Sequence, residues 1–189
     1  MQRPVLETPR LILRPLALED LADWTAFAAD EEVARYLGGV QAASTAWRGF
    51  MQVAGSWSML GYAMFSLIEK QSGRWIGRAG PWTPADWPGT EVGWGLAREA
   101  WGKGYATEAA TAAIGWAFDT LGWTEVIHCI DPENTASQNV ARRLGASIQR
   151  RQTLPAPYDA HVVDVWGQSR EAWRARTSPR PASLSQSRG

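Results

Sequence analysis

Cysteine is almost missing from this chain. Cys129 stands alone, so no internal disulfide is possible and no cysteine cluster can hold a metal. Histidine is nearly as scarce. His128 lies inside an apolar run and His161 near the start of another, and no Asp, Glu or second His stands at ligand spacing, so no metal site is expected. Excess charge is lacking too: 19 basic residues balance 19 acidic ones. That excludes a global field drawing the protein to nucleic acid or to an anionic membrane. Lysine is confined to Lys70 and Lys103, against 17 arginines. Long hydrophobic runs are missing as well. Gly49 to Ile68 carries no charge, but Gln52, Ser56, Ser58, Gly61 and Ser66 break it, so it is too polar to span a membrane. The start, Met-Gln-Arg-Pro, shows no apolar signal run, and a cytoplasmic protein is expected.

What is present is ordinary in bulk and unusual in detail. At 189 residues, 45% of them hydrophobic, the chain is long enough for one domain with a full core. That domain is expected over residues 1–176. The Ser-, Pro- and Arg-rich stretch 177–189 reads as a disordered tail. Leu11-Ile12-Leu13 between prolines predicts a first strand, Leu18 to Ala29 a helix and Ala42 to Ala54 a second one. Tyr62 to Ile68 and Arg74 to Ala79 predict a hairpin closed by Glu69-Lys70-Gln71-Ser72-Gly73. Pro81 to Gly89 reads as a loop carrying Trp82 and Trp87, which either wall a pocket, meet a second copy or anchor the loop. A helix from Tyr105 to Leu121, a buried strand over Val126 to Ile130, a helix from Asn134 to Leu144 and two closing strands (Ser147 to Gln152, His161 to Trp166) complete the pattern.

The most informative stretch is Glu91-Val92-Gly93-Trp94-Gly95-Leu96 followed by Trp101-Gly102-Lys103-Gly104-Tyr105-Ala106-Thr107-Glu108. It predicts a strand, a glycine-bearing loop and a helix that opens from that loop. Val92, Trp94 and Leu96 alternate onto one face, and Glu91, Gly93 and Gly95 onto the other. Two glycines on one face predict an open strip for a thin ligand. The loop glycines let a phosphate reach backbone N–H groups, and the helix adds four unpaired donors and the positive end of its dipole. Without Gly-Lys-Ser/Thr it is no P-loop. Without a third glycine and a distal acid it is no dinucleotide fingerprint.

Trp-Gly-Lys-Gly-Tyr-Ala-Thr-Glu-Ala at 101–109, Asp-Pro-Glu-Asn-Thr-Ala-Ser at 131–137 and Leu144-Gly145 resemble the GNAT N-acetyltransferases. The branch is similar to the RimJ/RimL type, which acetylates the N-termini of ribosomal proteins. Thr8-Pro9-Arg10-Leu11-Ile12-Leu13-Arg14 and Asp164-Val165-Trp166 share the likeness, which covers about residues 7 to 174. The resemblance implies an α/β (α+β) fold with a mixed, mostly antiparallel, twisted sheet of about seven strands flanked by helices. It implies an acyltransferase of the EC 2.3.1 type with acetyl-CoA as co-substrate and an amine acceptor, a small molecule or a peptide N-terminus, in a monomer or homodimer. A non-catalytic acetyl-CoA binder or sensor is the alternative.

By the same resemblance, the pantetheine arm would pair with Trp94, Gly95 and Leu96. The pyrophosphate would rest on the loop Trp101, Gly102, Lys103, Gly104, Tyr105, Ala106 and Thr107, and Asn134 would touch the coenzyme from the far side. Asn134 is also a preferred helix N-cap, and the roles are compatible because its amide offers both an oxygen and an NH2 group. An amine must lose a proton before it attacks a thioester. Glu91, on the glycine face, is the candidate base, and a solvated strand-edge Glu is the plain alternative. Ser137 holds the position that would protonate the departing thiolate. Many relatives carry Tyr where this chain has Ala141, and Phe where it has Ala146; the first departure removes the usual acid. The acids from Glu19 to Glu32 suggest either a cationic acceptor or a solvated helix face.

Overall fold

The computed structural model describes residues 4–177. Eight strands form one sheet in the order β1-β2-β3-β4-β5-β6-β8-β7. They are β1 (Leu6–Glu7), β2 (Leu11–Arg14), β3 (Phe65–Glu69), β4 (Trp75–Trp82), β5 (Glu91–Leu96), β6 (Glu125–Ile130), β7 (Ser147–Thr153) and β8 (Val162–Ser169). The two-residue β1 takes the count one beyond the expected seven. The helices are α1 (Leu21–Ala29), α2 (Glu31–Ala34), α3 (Ala43–Met59), α4 (Tyr105–Asp119), α5 (Thr135–Leu144) and α6 (Arg170–Thr177). Every pairing is antiparallel except β5 with β6. The mixed, mostly antiparallel sheet read from the resemblance is the one observed.

α4 connects the two parallel strands and lies on one face of the sheet. Its Ala109, Ala110, Ala113 and Ala117 are completely buried. Side chains this small let the helix backbone approach Val92 and Val126 closely. The opposite face meets α1, where Trp24 and Phe27 pack. That contact corrects one expectation. The strip is not a bare groove: a Cβ at Gly93, which borders a cavity, would lie 3.0 Å from the Met64 methyl, and one at Gly95 would lie 3.0 Å from Phe27 and 3.3 Å from Leu37. Gly95 makes room for α1 and the turn after α2, and Gly93 for Met64 just before β3.

Two boundaries differ from the sequence reading. β4 runs through Pro81 to Trp82, so Trp82 belongs to a strand and not to the loop. A proline is tolerated there because β3 ends at the pair Phe65↔Ala79, and no partner strand remains on that side. α6 was not expected. Its one buried residue is Trp173, which packs on Phe118 with ring centroids 6.3 Å apart. The tail expected over 177–189 lies outside the described residues, except for Thr177, whose hydroxyl bonds the Trp173 carbonyl at 2.8 Å. Among the described residues no helix is long and apolar enough to cross a membrane.

Candidate active site

The glycine loop forms the N-terminus of α4. Gly102 and Gly104 take φ of 72° and 81°, a region L side chains avoid. A Cβ at Gly102 would meet nothing within 4 Å, and one at Gly104 only an Arg10 guanidinium nitrogen at 3.5 Å, so the approach to the helix N–H groups is open. Glu108 in the first turn of α4 anchors the loop. Thr8 Oγ1 donates to it at 2.6 Å, and the Arg10 backbone and side chain donate at 2.9 and 2.7 Å. Burial opposes the charge on Glu108, but these bonds outweigh it and hold its pKa below the ordinary value. Arg10 also donates to the Lys103 carbonyl at 2.9 Å and lies over the Tyr105 ring. The Thr-Pro-Arg motif near the start of the chain therefore clamps the loop, a role its sequence position gave no sign of.

The gap beside β5 has a local cause. The parallel strands pair at one register position, Glu91↔Ile127, with the Ile127 N–H on the Thr90 carbonyl at 3.0 Å. The next rung of a parallel ladder would join the Cys129 N–H to the Val92 carbonyl. Both groups are diverted to side chains. The Cys129 N–H donates to Glu91 Oε1 at 3.0 Å, and the Val92 carbonyl is held by His128 Nδ1 at 2.7 Å. Pairing stops there. Val92 turns its polar groups toward β6, so by strand alternation Trp94 turns its N–H and carbonyl into the opening. The Leu96 carbonyl accepts the Trp101 indole N–H at 2.8 Å.

A cavity of about 160 Å³ opens at this point, with Glu91, Gly93, Trp94, His128 and Cys129 among its walls. Glu91 is buried, and Trp87 donates its indole N–H to the second carboxylate oxygen. Burial raises the Glu91 pKa to about 7 against the opposing bonds from Cys129 and Trp87. Burial also lowers the His128 pKa to about 4, so its ring is neutral. Holding the Val92 carbonyl requires the proton on Nδ1, and Nε2 is buried without a partner. His128 is thus a core residue that is only half satisfied. Ser137 Oγ accepts the Trp94 indole N–H at 3.3 Å, which leaves its own hydroxyl proton to donate. Asn134 caps α5 through its oxygen on the Ser137 N–H at 3.0 Å, and its NH2 group remains for other partners.

The cavity gathers Glu91, Ser137, Asn134 and Trp94 from the sequence reading, together with Trp82, Trp87, His128 and His161. The loop 101–107 stands apart from it. Sequence reasoning missed Tyr36, Leu37, Met64, Arg78 and Tyr158, which come from connections or mid-strand positions without a motif. The acids at 19–32 turn elsewhere: Asp20 pairs with Arg14 at 2.7 Å and Asp30 with Arg98 at 2.6 Å. Asp159, a carboxylate close in sequence to the cavity residues Tyr158 and His161, is exposed and does not line the cavity. Ala141 is fully buried beside Ile130, Ala146 and Trp166, so α5 offers no acid at that position.

Comparison with known proteins agrees with this architecture. The family model described as an acetyltransferase (GNAT) domain matches residues 10–147, and the chain belongs to that family; it is an acyltransferase. An uncharacterised N-acetyltransferase p20 of Bacillus licheniformis is 33% identical over 135 residues, spanning 70% of this chain and 76% of that protein. The crystal structure of an acetyltransferase from Agrobacterium tumefaciens is 30% identical with a TM-score of 0.77, covering 89% of this chain and 95% of the other. RimJ of Mycobacterium smegmatis, solved with CoA-disulfide, shares the fold at 19% identity and a TM-score of 0.69, over 89% of this chain and 87% of its own.

Proposed function

We propose that the protein moves the acetyl group of acetyl-CoA to a primary amine by direct attack, with Glu91 as general base. One observation carries the reading: a buried carboxylate with a pKa raised to about 7 stands where the sheet opens. A base poised near neutral pH accepts a proton readily and still spends much of its time ionised. Acetyl-CoA supplies the activated acyl group. The open loop at Gly102 and Gly104, with the N–H groups of Lys103 to Thr107, would hold its pyrophosphate. The RimJ neighbour was solved with a coenzyme A species, which supports the same assignment. Trp94, Gly95 and Leu96 would align the pantetheine, with the Trp94 N–H and carbonyl as its free backbone partners. The Asn134 NH2 would reach the coenzyme from α5, and the Ser137 hydroxyl would donate to the departing sulfur.

The test is an acceptor panel run with purified protein and acetyl-CoA, reading released thiol. Amine-dependent thiol release that falls in Glu91→Gln with coenzyme binding intact is the expected result. Coenzyme binding without turnover on any amine would instead support a non-catalytic binder, the reading that the lack of an acid at Ala141 favours.

A further inference from the structure

Arg78 is a wall of the cavity whose fixed positive charge acetyl transfer to a simple amine leaves unused. It sits on β4 opposite Gly95, while Trp82 of the same strand sits opposite Glu91. Directly paired residues share a sheet face, so Arg78 and Glu91 face the same side. Its guanidinium carbon lies 4.6 Å from the Trp24 ring centre and 5.8 Å from that of Phe27. Stacking of this kind fixes the plane of the group and leaves its edge N–H donors free.

Other arginines on this part of the molecule find carboxylates. Arg14 holds Asp20, Arg98 holds Asp30 and Arg151 holds Asp164 at 2.7 Å. Among the described residues Arg78 has neither an ion pair nor a side-chain hydrogen bond, and Asp20 and Asp30, the acids flanking α1, are already engaged. Burial lowers its pKa only to about 10, so it stays charged at neutral pH. Arg78 is deep in the molecule but not sealed, and it lines the cavity. The other titratable groups of that wall, Tyr158 among them, make no hydrogen bond or ion pair with Arg78. His128 is neutral, Asp131 caps the Glu133 N–H at 2.8 Å, and Glu91 is tied to Cys129 and Trp87. The coenzyme cradle at 102–107 is not part of this wall, so the pyrophosphate does not explain Arg78 either. A half-buried guanidinium held in place by aromatic rings, with donors that no protein group uses, is preorganised to receive an anionic group.

We infer that the acceptor is an amine that also carries a carboxylate, and that Arg78 receives that carboxylate while the amine lies at Glu91. The inference rests on the acetyl-transfer reading above. Glu91 and Gly95 are four residue steps apart on β5, a backbone span of about 13 Å. A separation of this order suits an extended acceptor such as a short peptide or an ω-amino acid, and polyamines are disfavoured because a second cation would meet Arg78.

The experiment uses acceptors that differ only at the far end: 6-aminohexanoate against hexylamine, and alanyl-alanine against its amide. Calorimetry on the coenzyme-loaded protein reads binding, and thiol release reads turnover. Each carboxylate is expected to bind about tenfold or more tightly than its partner, the scale of a charged hydrogen bond. Arg78→Met should abolish that preference while keeping coenzyme affinity, and Arg78→Lys should keep part of it. Equal binding of the two members of each pair by the wild type overturns the inference even if Arg78→Met fails to fold, as does a preference that survives in a folded Arg78→Met. Phosphoethanolamine binding tighter than 6-aminohexanoate overturns the carboxylate in favour of a phosphate. Carboxylate-selective binding without turnover on any acceptor would sustain the Arg78 site and sink acetyl transfer instead.

Discussion

The loop at 102–107 and the cavity at Glu91 are built in opposite ways. The loop offers backbone: two glycines at positive φ and the start of a helix, with side chains serving only to clamp it from outside. The cavity offers side chains: a carboxylate, a neutral imidazole, a hydroxyl and a guanidinium, with backbone deliberately withdrawn from pairing. A phosphate handle shared by many reactions can be held by groups every residue possesses. An acceptor and its proton need groups chosen one by one. Substitutions in the two regions should therefore separate coenzyme affinity from turnover.

The sharpest separation is expected at Glu91. Glu91→Gln should keep coenzyme affinity and lower turnover by about 10²- to 10⁴-fold at neutral pH. In the wild type kcat/KM should rise through a pH near 7, as Glu91 loses its proton. The same group makes a stability prediction. Its folded pKa lies above the ordinary 4.5, so its contribution to stability is complete below about pH 4.5 and is lost as pH rises through about 7. The melting temperature of Glu91→Gln should accordingly fall less than that of the wild type between pH 5 and 8.

Gly104→Val should do the reverse. A β-branched residue at φ 81° costs about 1–2 kcal/mol or reshapes the loop, and coenzyme affinity should drop by about tenfold or more on calorimetric titration. Normal coenzyme binding in that variant would place the phosphate elsewhere. Arg10→Ala is a smaller blow to the same region. It leaves Glu108 without its main partner beside the anion site, and coenzyme affinity should weaken by about threefold to tenfold, more at low salt than at high. The mildest effect is expected at Trp87→Phe. Removing the indole N–H that stabilises the Glu91 carboxylate should move the alkaline rise of kcat/KM upward by less than about one pH unit, with coenzyme affinity unchanged.

The contrast also explains which parts could be read from the sequence. Glycine punctuates backbone sites, so Gly102, Gly104 and the Asn134 cap were visible as residue types at fixed offsets. Glu91 was found through strand alternation, which a clean six-residue pattern supports. Arg78 was not, because an arginine within a hairpin strand looks the same whether it faces solvent or a cavity. Only the packing of α1, which carries Trp24 to its guanidinium, distinguishes the two. The strip at Gly93 and Gly95 misled for the same reason: absent side chains marked a close approach, but not by what. α6 escaped because one buried residue, Trp173, sets no period, and Pro81 hid the last turn of β4 because strand rules assume a partner on both sides.

The side-chain rungs at Val92 and Cys129 have a kinetic consequence. A sheet parted by force would tend to zip shut, and its ligand would have to wait for a rare open state. Here both backbone groups at the first unpaired rung are already satisfied, by His128 and by Glu91, so closure must break those two bonds before the ladder can reach Trp94. Capture of the coenzyme should then proceed in one phase whose observed rate climbs linearly with concentration, with no plateau from a slow opening step. Stopped-flow tryptophan fluorescence, with Trp94 and Trp101 beside the fork, would register that rate directly.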